Sequence, residues 1–302
     1  MRTIRSIAEI RAHVARSRAA GRSIGLVPTM GAFHAGHESL MVTAREACDE
    51  VVVSLFVNPT QFNDPRDLAV YPRDELADAA LAAELGVDVL FAPPPEVVYP
   101  EGFSTSIRVA GLSDVLEGAE RGPEHFHGVC TVVAKLFGIV LPDVAFFGQK
   151  DAQQVAVLRR MTVDLDLPVQ IEALPTVREP DGLAMSSRNG RLSPSERERA
   201  AALWRGLAAA EAALADGERE PAVVEAAGRA AMAAFGVAPE YLALVDPKTF
   251  LPVPHIDGRV LVAVAARVGD TRLIDNALVD TLAATPERGA DPKGAVHVLP
   301  AP

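Results

Sequence analysis

Two histidines three residues apart, His34 and His37, stand in a glycine-punctuated turn, VPTMGAFHAGHESL, in a chain that has only 7 histidines among 302 residues. Imidazoles at that spacing share one first helical turn, where either ring donates hydrogen bonds to an anion. The turn alone leaves two other readings open: a structurally hydrogen-bonded pair, and a zinc pair for which the segment offers no cysteine. Neither GxGxxG nor GxxxxGKS/T occurs, so a nucleotide bound here is held by another arrangement. A second group is Gly148, Gln149, Lys150 and Asp151. The lysine neutralises phosphate charge, the aspartate caps a helix or accepts from sugar hydroxyls, and Gln154 follows one turn on; a surface lysine and an ordinary cap are the alternative.

A third group is Met185, Ser186, Ser187 and Arg188, two hydroxyls beside a guanidinium that suit the clasping of phosphate oxygens, although such residues in an exposed loop require no ligand. Asn58 and Gln61 offer amides that recognise oxygens without adding charge, or simply order their loop. Glu117, Arg121 and His125 fall in EGAERGPEHFHGV, where a local salt-bridge network and a ligand contact are equally open.

The elements needed to position these groups follow from periodicity. Residues 24–27 make a short apolar strand that ends at Pro28, and a helix is expected from His37 or Glu38. Such a strand-turn-helix unit brings unpaired helix N–H groups to the carboxyl edge of a sheet, where open α/β folds bind phosphates. The dense apolar run 51–57 suits a strand covered on both faces. Further strands are expected over 87–91, 104–109, 144–147 and 168–174, with helices at the N-terminus, from 72 or 73 to 86, over 112–116 and over 126–140. The three prolines at 93–95 predict an extended connection. Beyond a hinge-like stretch at 175–181, a helix capped by Ser193 or Ser195, a helix over 221–235 and strands over 242–245 and 260–266 make a small α+β unit.

Composition bounds the function. The formal charge of −11 disfavours general capture of nucleic acid or an anionic membrane, so a small anionic substrate needs a local positive pocket. Two isolated cysteines, Cys48 and Cys130, make no disulfide framework and no metal cluster. No apolar run reaches the roughly 18 residues of a membrane span, and the N-terminus reads as an amphipathic helix, so a cytoplasmic protein is expected.

Taken together, PTMGAFHAGHESL, FVNPTQF, DLAVYPR, HFHGVCTVVAKLF, FFGQKDAQQ and MSSRNGRLS, in this order over residues 1–283, resemble the pantothenate synthetases, ATP-dependent ligases related to the nucleotidyltransferases and aminoacyl-tRNA synthetases with a HIGH-type motif. The resemblance implies an α/β fold: a Rossmann-like parallel sheet with helices on both faces over residues 1–175, a smaller C-terminal α+β lid domain over 176–285 and a tail over 286–302. It implies a homodimer that joins pantoate to β-alanine through pantoyl adenylate, with ATP as substrate, magnesium accompanying it, and no metal held by the protein alone. His34, His37, Lys150 and Arg188 match the catalytic positions. Met30, His34, His37, Gly148, Lys150, Asp151, Met185, Ser186, Ser187 and Arg188 match the ATP site, and Asn58, Gln61 and Gln154 the pantoate site. Glu117, Arg121 and His125 match loop-ordering or dimer-proximal positions, but EGAERGPEHF is longer than the usual family loop, and Gln149 stands where an acidic residue is common. Simple nucleotidyl transfer and a nonenzymatic nucleotide-binding role are the alternatives.

Overall fold

The strand before the histidine turn is the centre of a parallel sheet. The computed structural model describes residues 1–122 and 124–282, so the tail expected over 286–302 lies outside the described residues. Six strands, β1 (Arg2–Ile4), β2 (Ile24–Thr29), β3 (Glu50–Leu55), β4 (Val89–Phe91), β5 (Val144–Gly148) and β6 (Gln170–Leu174), pair in the order β1-β4-β3-β2-β5-β6, all parallel. Ile24, Leu26 and Val27 of β2 and Val51, Val52 and Val53 of β3 are fully buried. Such unbroken apolar runs arise because crossover helices cover both faces of a parallel sheet.

Among the described residues eight α-helices accompany these strands: α1 (Ile7–Ala19), α2 (Ala35–Ala47), α3 (Pro65–Ala69), α4 (Glu75–Glu84), α5 (Pro95–Val98), α6 (Glu117–Arg121), α7 (Glu124–Val140) and α8 (Ala152–Asp164). One face is packed by Ile10 and Val14 of α1, Phe126, Val133 and Phe137 of α7, and Leu158 and Met161 of α8. The other is packed by Leu40, Met41 and Ala44 of α2 with Ala82 of α4. The caps fix the helix starts: Ser6 accepts from Glu9 N at 3.3 Å ahead of α1, and Asp74 accepts from Ala77 N at 3.0 Å ahead of α4.

A second core lies beyond Leu183. Helices α9 (Pro194–Ala200), α10 (Ala202–Ala215) and α11 (Pro221–Ala233) cover an antiparallel meander of β7 (Pro239–Val245), β8 (Arg259–Val268) and β9 (Thr271–Asp280). Ser193 and Glu196 form a full capping box at the start of α9. The architecture is therefore the expected one, a Rossmann-like parallel sheet with flanking helices plus a smaller C-terminal unit.

Several local expectations are corrected. Helix α2 begins at Ala35, two residues ahead of His37, because the His34 ring itself caps it. Residues 104–109 form no strand: the stretch pairs with neither edge strand, β1 or β6, and Ile107 N instead donates to Thr131 Oγ1 at 3.0 Å. Residues 112–116 are turns, and the helix starts at Glu117 after Leu116 takes a φ of 44°. The third proline opens a short helix, α5, because its fixed φ suits a first helical position. Strands β1 and β9 and helix α3 were not expected: β1 is three residues long, and β9 interrupts its apolar pattern with Asp275 and Asn276.

Glu117 joins the two units. Its buried carboxylate accepts two bonds from Arg272 of β9, both 2.7 Å, one from Arg121 Nε at 2.7 Å and one from the Tyr241 hydroxyl of β7 at 2.8 Å. Burial alone would raise its pKa, but Arg272 and Arg121 outweigh it and hold Glu117 at about 2. Removing one member of such a set strands the remaining charges away from water. Glu117→Ala is therefore expected to lower the unfolding free energy by about 3 kcal/mol or more, measured by urea unfolding at pH 7.

Candidate active site

In the strand order the chain moves from β2 outward through β3 and β4 towards one edge, which β1 completes, and through β5 and β6 to the other. The loops leaving the carboxyl ends of the adjacent strands β2 and β5 therefore diverge, opening the crevice in which such sheets bind ligands. The histidine turn leaves β2 and the Lys150 turn leaves β5. Between them lies one cavity, and every site residue expected from the sequence lines it: Met30, His34 and His37; Asn58 and Gln61; Glu117, Arg121 and His125; Gly148, Lys150, Asp151 and Gln154; and Met185 to Arg188.

The histidine turn is held from beneath. Gly31 and Ala32 take φ of 85° and 54°, and the buried carboxylate of Asp78, on α4, accepts from Ala32 N at 2.9 Å and Phe33 N at 2.8 Å. A Cβ on Gly31 would meet Asp78 Oδ2 at 2.8 Å and Leu55 Cδ1 at 2.9 Å, so both the backbone conformation and the space call for glycine. His34 Nδ1 accepts from Gly36 N at 3.1 Å, which leaves the neutral ring's proton on Nε2 as a donor. Burial, then the nearby Lys150 charge, lowers the His34 pKa. His37 lies with its ring centroid 4.2 Å from that of His34; burial, His34 and Lys150 push its pKa down to about 3. Both rings are therefore neutral hydrogen-bonding groups near pH 7. Among the described residues no three His, Cys, Asp or Glu side chains gather for a metal, and the His34 Nδ1 lone pair is taken by the backbone, which favours a hydrogen-bonding role for the pair.

Lys150 projects from the 149–151 turn, largely buried, with its ammonium 3.7 Å from Asp151. The Ser186–Arg188 segment faces it from a hairpin in which Met185 N donates to Val177 O at 2.9 Å and Asn189 Nδ2 to Ala184 O at 3.0 Å. Arg188 pairs with Asp67 of α3 at 3.2 Å, and Ser187 lies 3.4 Å from the Tyr71 hydroxyl. Two positive groups and two hydroxyls thus bracket the cavity from opposite units, a fit for a polyanion.

Asn58 is only 1% exposed, and its amide is saturated. Nδ2 donates to Gln61 Oε1 at 2.9 Å and Gly128 O at 3.1 Å, while Oδ1 accepts from Tyr99 at 2.8 Å and Thr60 Oγ1 at 2.9 Å. Asn58 therefore orders the loop and orients Gln61. Helix α7 approaches this loop so closely that a Cβ on Gly128 would lie 2.4 Å from Thr60 O. His125 bonds through Nδ1 to Gln61 O at 2.9 Å, and burial followed by the Arg121 charge depresses its pKa to about 4. Gln154 lines the cavity, and so does Gln153, whose amide is spent on the 112–117 backbone.

Sequence reasoning missed Asp78, Asp67, Tyr99, Tyr241, Arg272, Asp275 and Asn276. The signal for three of them was polarity out of place: Asp78 falls on the buried face of α4 one turn before Ala82, and Asp275 and Asn276 interrupt an otherwise apolar strand.

A family model described as Pantoate-beta-alanine ligase matches residues 2–278. The pantothenate synthetase of Cereibacter sphaeroides is 53% identical over 273 residues, covering 90% of this chain and 98% of the relative. That of Heliobacterium modesticaldum is 52% identical over 285 residues, covering 93% and 100%. Among solved structures, the pantothenate synthetase of Thermus thermophilus superposes with a TM-score of 0.88 at 46% identity, covering 93% of this chain and 99% of that one. The pantoate-beta-alanine ligase of Francisella tularensis, complexed with beta-gamma ATP and beta-alanine, superposes at 0.77 with 34% identity, covering 92% and 97%.

His37 and His125 stay neutral in the folded chain and take up protons only on unfolding. Their contribution is complete above the ordinary histidine pKa of about 6.5 and is lost as the pH falls towards 4. The unfolding free energy from urea titrations is expected to drop by at least about 1 kcal/mol per pH unit between pH 6 and 5; a flat profile there would show that both rings are already protonated in the folded state.

Proposed function

Because this chain belongs to the pantoate-beta-alanine ligase family, we infer that the crevice between β2 and β5 is where it activates pantoate with ATP and joins it to β-alanine. The overall reaction yields pantothenate, AMP and pyrophosphate through a pantoyl-adenylate intermediate. The observation that carries the site assignment is the convergence of His34, His37, Lys150 and the Ser186–Arg188 segment on one cavity from two separately packed units.

In the first step the pantoate carboxylate attacks the α-phosphorus and pyrophosphate departs. Negative charge gathers on the phosphoryl oxygens, and what accelerates the step is a set of donors already in place in a site of low polarity. The Nε2–H of His34 and the His37 ring supply neutral donors, Lys150 and Arg188 supply charge, and the hydroxyls of Ser186 and Ser187 supply further bonds. Met30, Gly148, Asp151 and Met185 complete the walls for ATP, while Gln61, oriented by Asn58, and Gln154 provide amides for pantoate. Arg188 must exchange Asp67 for phosphate when ATP enters. Magnesium would arrive on the ATP phosphates, as this ion is usually held by one or two carboxylates and its substrate. Asp151 fits that role: it is half-exposed and, among the described residues, met only by Lys150 at 3.7 Å, whereas the other cavity acids, Glu117 and Asp275, are buried and closely paired with arginines. The ion would offset charge on the leaving pyrophosphate.

In the second step the unprotonated amine of β-alanine attacks the acyl carbon and AMP leaves. The mixed anhydride is already reactive, so holding the amine and excluding water are what the protein has to do, and no side chain serves as nucleophile. We further infer a homodimer in the cytoplasm; the family resemblance supports the first, and the buried unpaired thiols of Cys48 and Cys130 suit a reducing compartment.

Incubation with ATP, magnesium, pantoate and β-alanine, leaving out each in turn, is expected to give AMP and pantothenate only in the complete mixture, and pyrophosphate whenever pantoate, ATP and magnesium are all present. Pyrophosphate exchange without β-alanine-dependent AMP would point to simple nucleotidyl transfer instead. Lys150→Ala is expected to slow adenylate formation at least about tenfold in a single turnover, equivalent to about 1.4 kcal/mol of transition-state stabilisation.

A further inference from the structure

The second sheet reaches back to the lysine turn through one side chain. Asn276, in the middle of β9 opposite Ala263 of β8, is 6% exposed. Its Nδ2 donates to Gln149 O at 3.0 Å and to Lys150 O at 2.9 Å, the two carbonyls of the turn from which the Lys150 side chain projects. Among the described residues its Oδ1 is buried with no partner. The amide orientation is therefore unambiguous, because a flip would set that oxygen against two carbonyl oxygens. A buried acceptor without a partner is destabilising. An apolar side chain would pack in β9 without that cost, so what the amide adds is its grip on the turn.

The neighbouring residue ties down the opposite wall. Asp275 accepts from Arg178 at 2.6 and 3.1 Å, and Arg178, whose guanidinium lies 4.2 Å over the Trp204 ring, begins the hairpin that ends in Ser186–Arg188. Adjacent residues of a single strand thus hold both phosphate-facing groups, and the spacing between those groups depends on β9. Backbone placement matters here because a lysine is a point charge on a long flexible stem, and its useful position is set by where that stem begins.

We propose that Asn276 is a positioning residue for Lys150, fixing the Gln149–Lys150 turn so that the ammonium stands where charge gathers on the transferring phosphoryl group. The inference rests on the adenylate-forming reading given above and adds to it a residue from the C-terminal unit. Asn276 borders the same cavity, but its amide N–H groups are spent on the two turn carbonyls, so in this scheme it acts through the lysine.

The test is a double-mutant cycle on the full-length protein, reading pyrophosphate release from ATP and pantoate in a single turnover. Asn276→Ala is expected to slow that step about tenfold in the wild-type background and by less than about twofold in the Lys150→Ala background, since a residue acting only through Lys150 has nothing left to position. Attack of β-alanine on preformed pantoyl adenylate is expected to change by less than about twofold. Thermal midpoints of all four proteins report folding, and if the alanine variant does not fold, Asn276→Ser, which keeps a hydroxyl donor on β9, takes its place in the same cycle. Equal losses in both backgrounds, or equal slowing of both half-reactions, would overturn the inference while leaving the ligase reading intact. A wild-type protein that releases no pyrophosphate from ATP and pantoate would overturn the reading on which it rests.

Discussion

The whole site depends on β2 and β5 lying side by side and parallel. Leu26 pairs with Ala145 and Gly25 with Val144, although more than a hundred residues separate the two strands in the chain. That pairing brings the carboxyl ends of both strands to one edge, where one loop carries His34 and His37 and the other Lys150. The dense apolar filling of both faces supports this register, since a slip of one residue would turn every buried side chain of a strand to the opposite face. Parallel pairing needs long crossovers, and the helices that begin just after the two loops, α2 from β2 to β3 and α8 from β5 to β6, are crossovers of this sheet that present their N-termini to the cavity.

Electrostatics in the cavity follow from its burial. Histidines in a desolvated site beside a lysine do not carry charge at neutral pH, which leaves the positive charge on Lys150 and Arg188 and makes the imidazoles directional donors. A cluster of four cations would repel itself when the site is empty. Two cations with neutral donors between them avoid most of that repulsion and still meet a triphosphate with several hydrogen bonds. Arg188 is in addition held by Asp67, whose pKa is lowered by Arg191 and Arg188 against the opposing effect of burial.

The smaller unit is built into this arrangement at three points. Arg272 and Tyr241 converge on Glu117, Arg178 is anchored on Asp275, and Asn276 grips the turn before α8. Each contact is polar and buried, so each demands accurate geometry from its partners. Among these, the Glu117 cluster shows how the extended EGAERGPEHF loop is held. Glu117 and Arg121 are engaged with each other and with the second sheet, and His125 holds the carbonyl of Gln61, so within this chain the three residues order the loop and join the two units.

Much of the architecture was legible in the sequence, because apolar periodicity reports which faces are buried. The runs at 24–27, 51–57 and 144–147 read as strands, 51–57 as one covered on both faces, and HAGH, QKD and MSSR stood out as polar chemistry at the ends of apolar elements. What the sequence could not supply was which residues support others. Asn58 reads as a binding amide until the bonds from Tyr99 and Thr60 and those to Gly128 and Gln61 are seen to occupy it. Asp78, Asp275 and Asn276 register only as polar interruptions of apolar patterns, since their partners lie dozens to over a hundred residues away. Short-range pattern determines local structure and marks the reactive groups. Only the packing of β9 against the 149–151 turn, and of β2 against β5, decides which groups meet, because buried hydrogen bonds depend on distance in space and carry no trace in the spacing of residues along the chain.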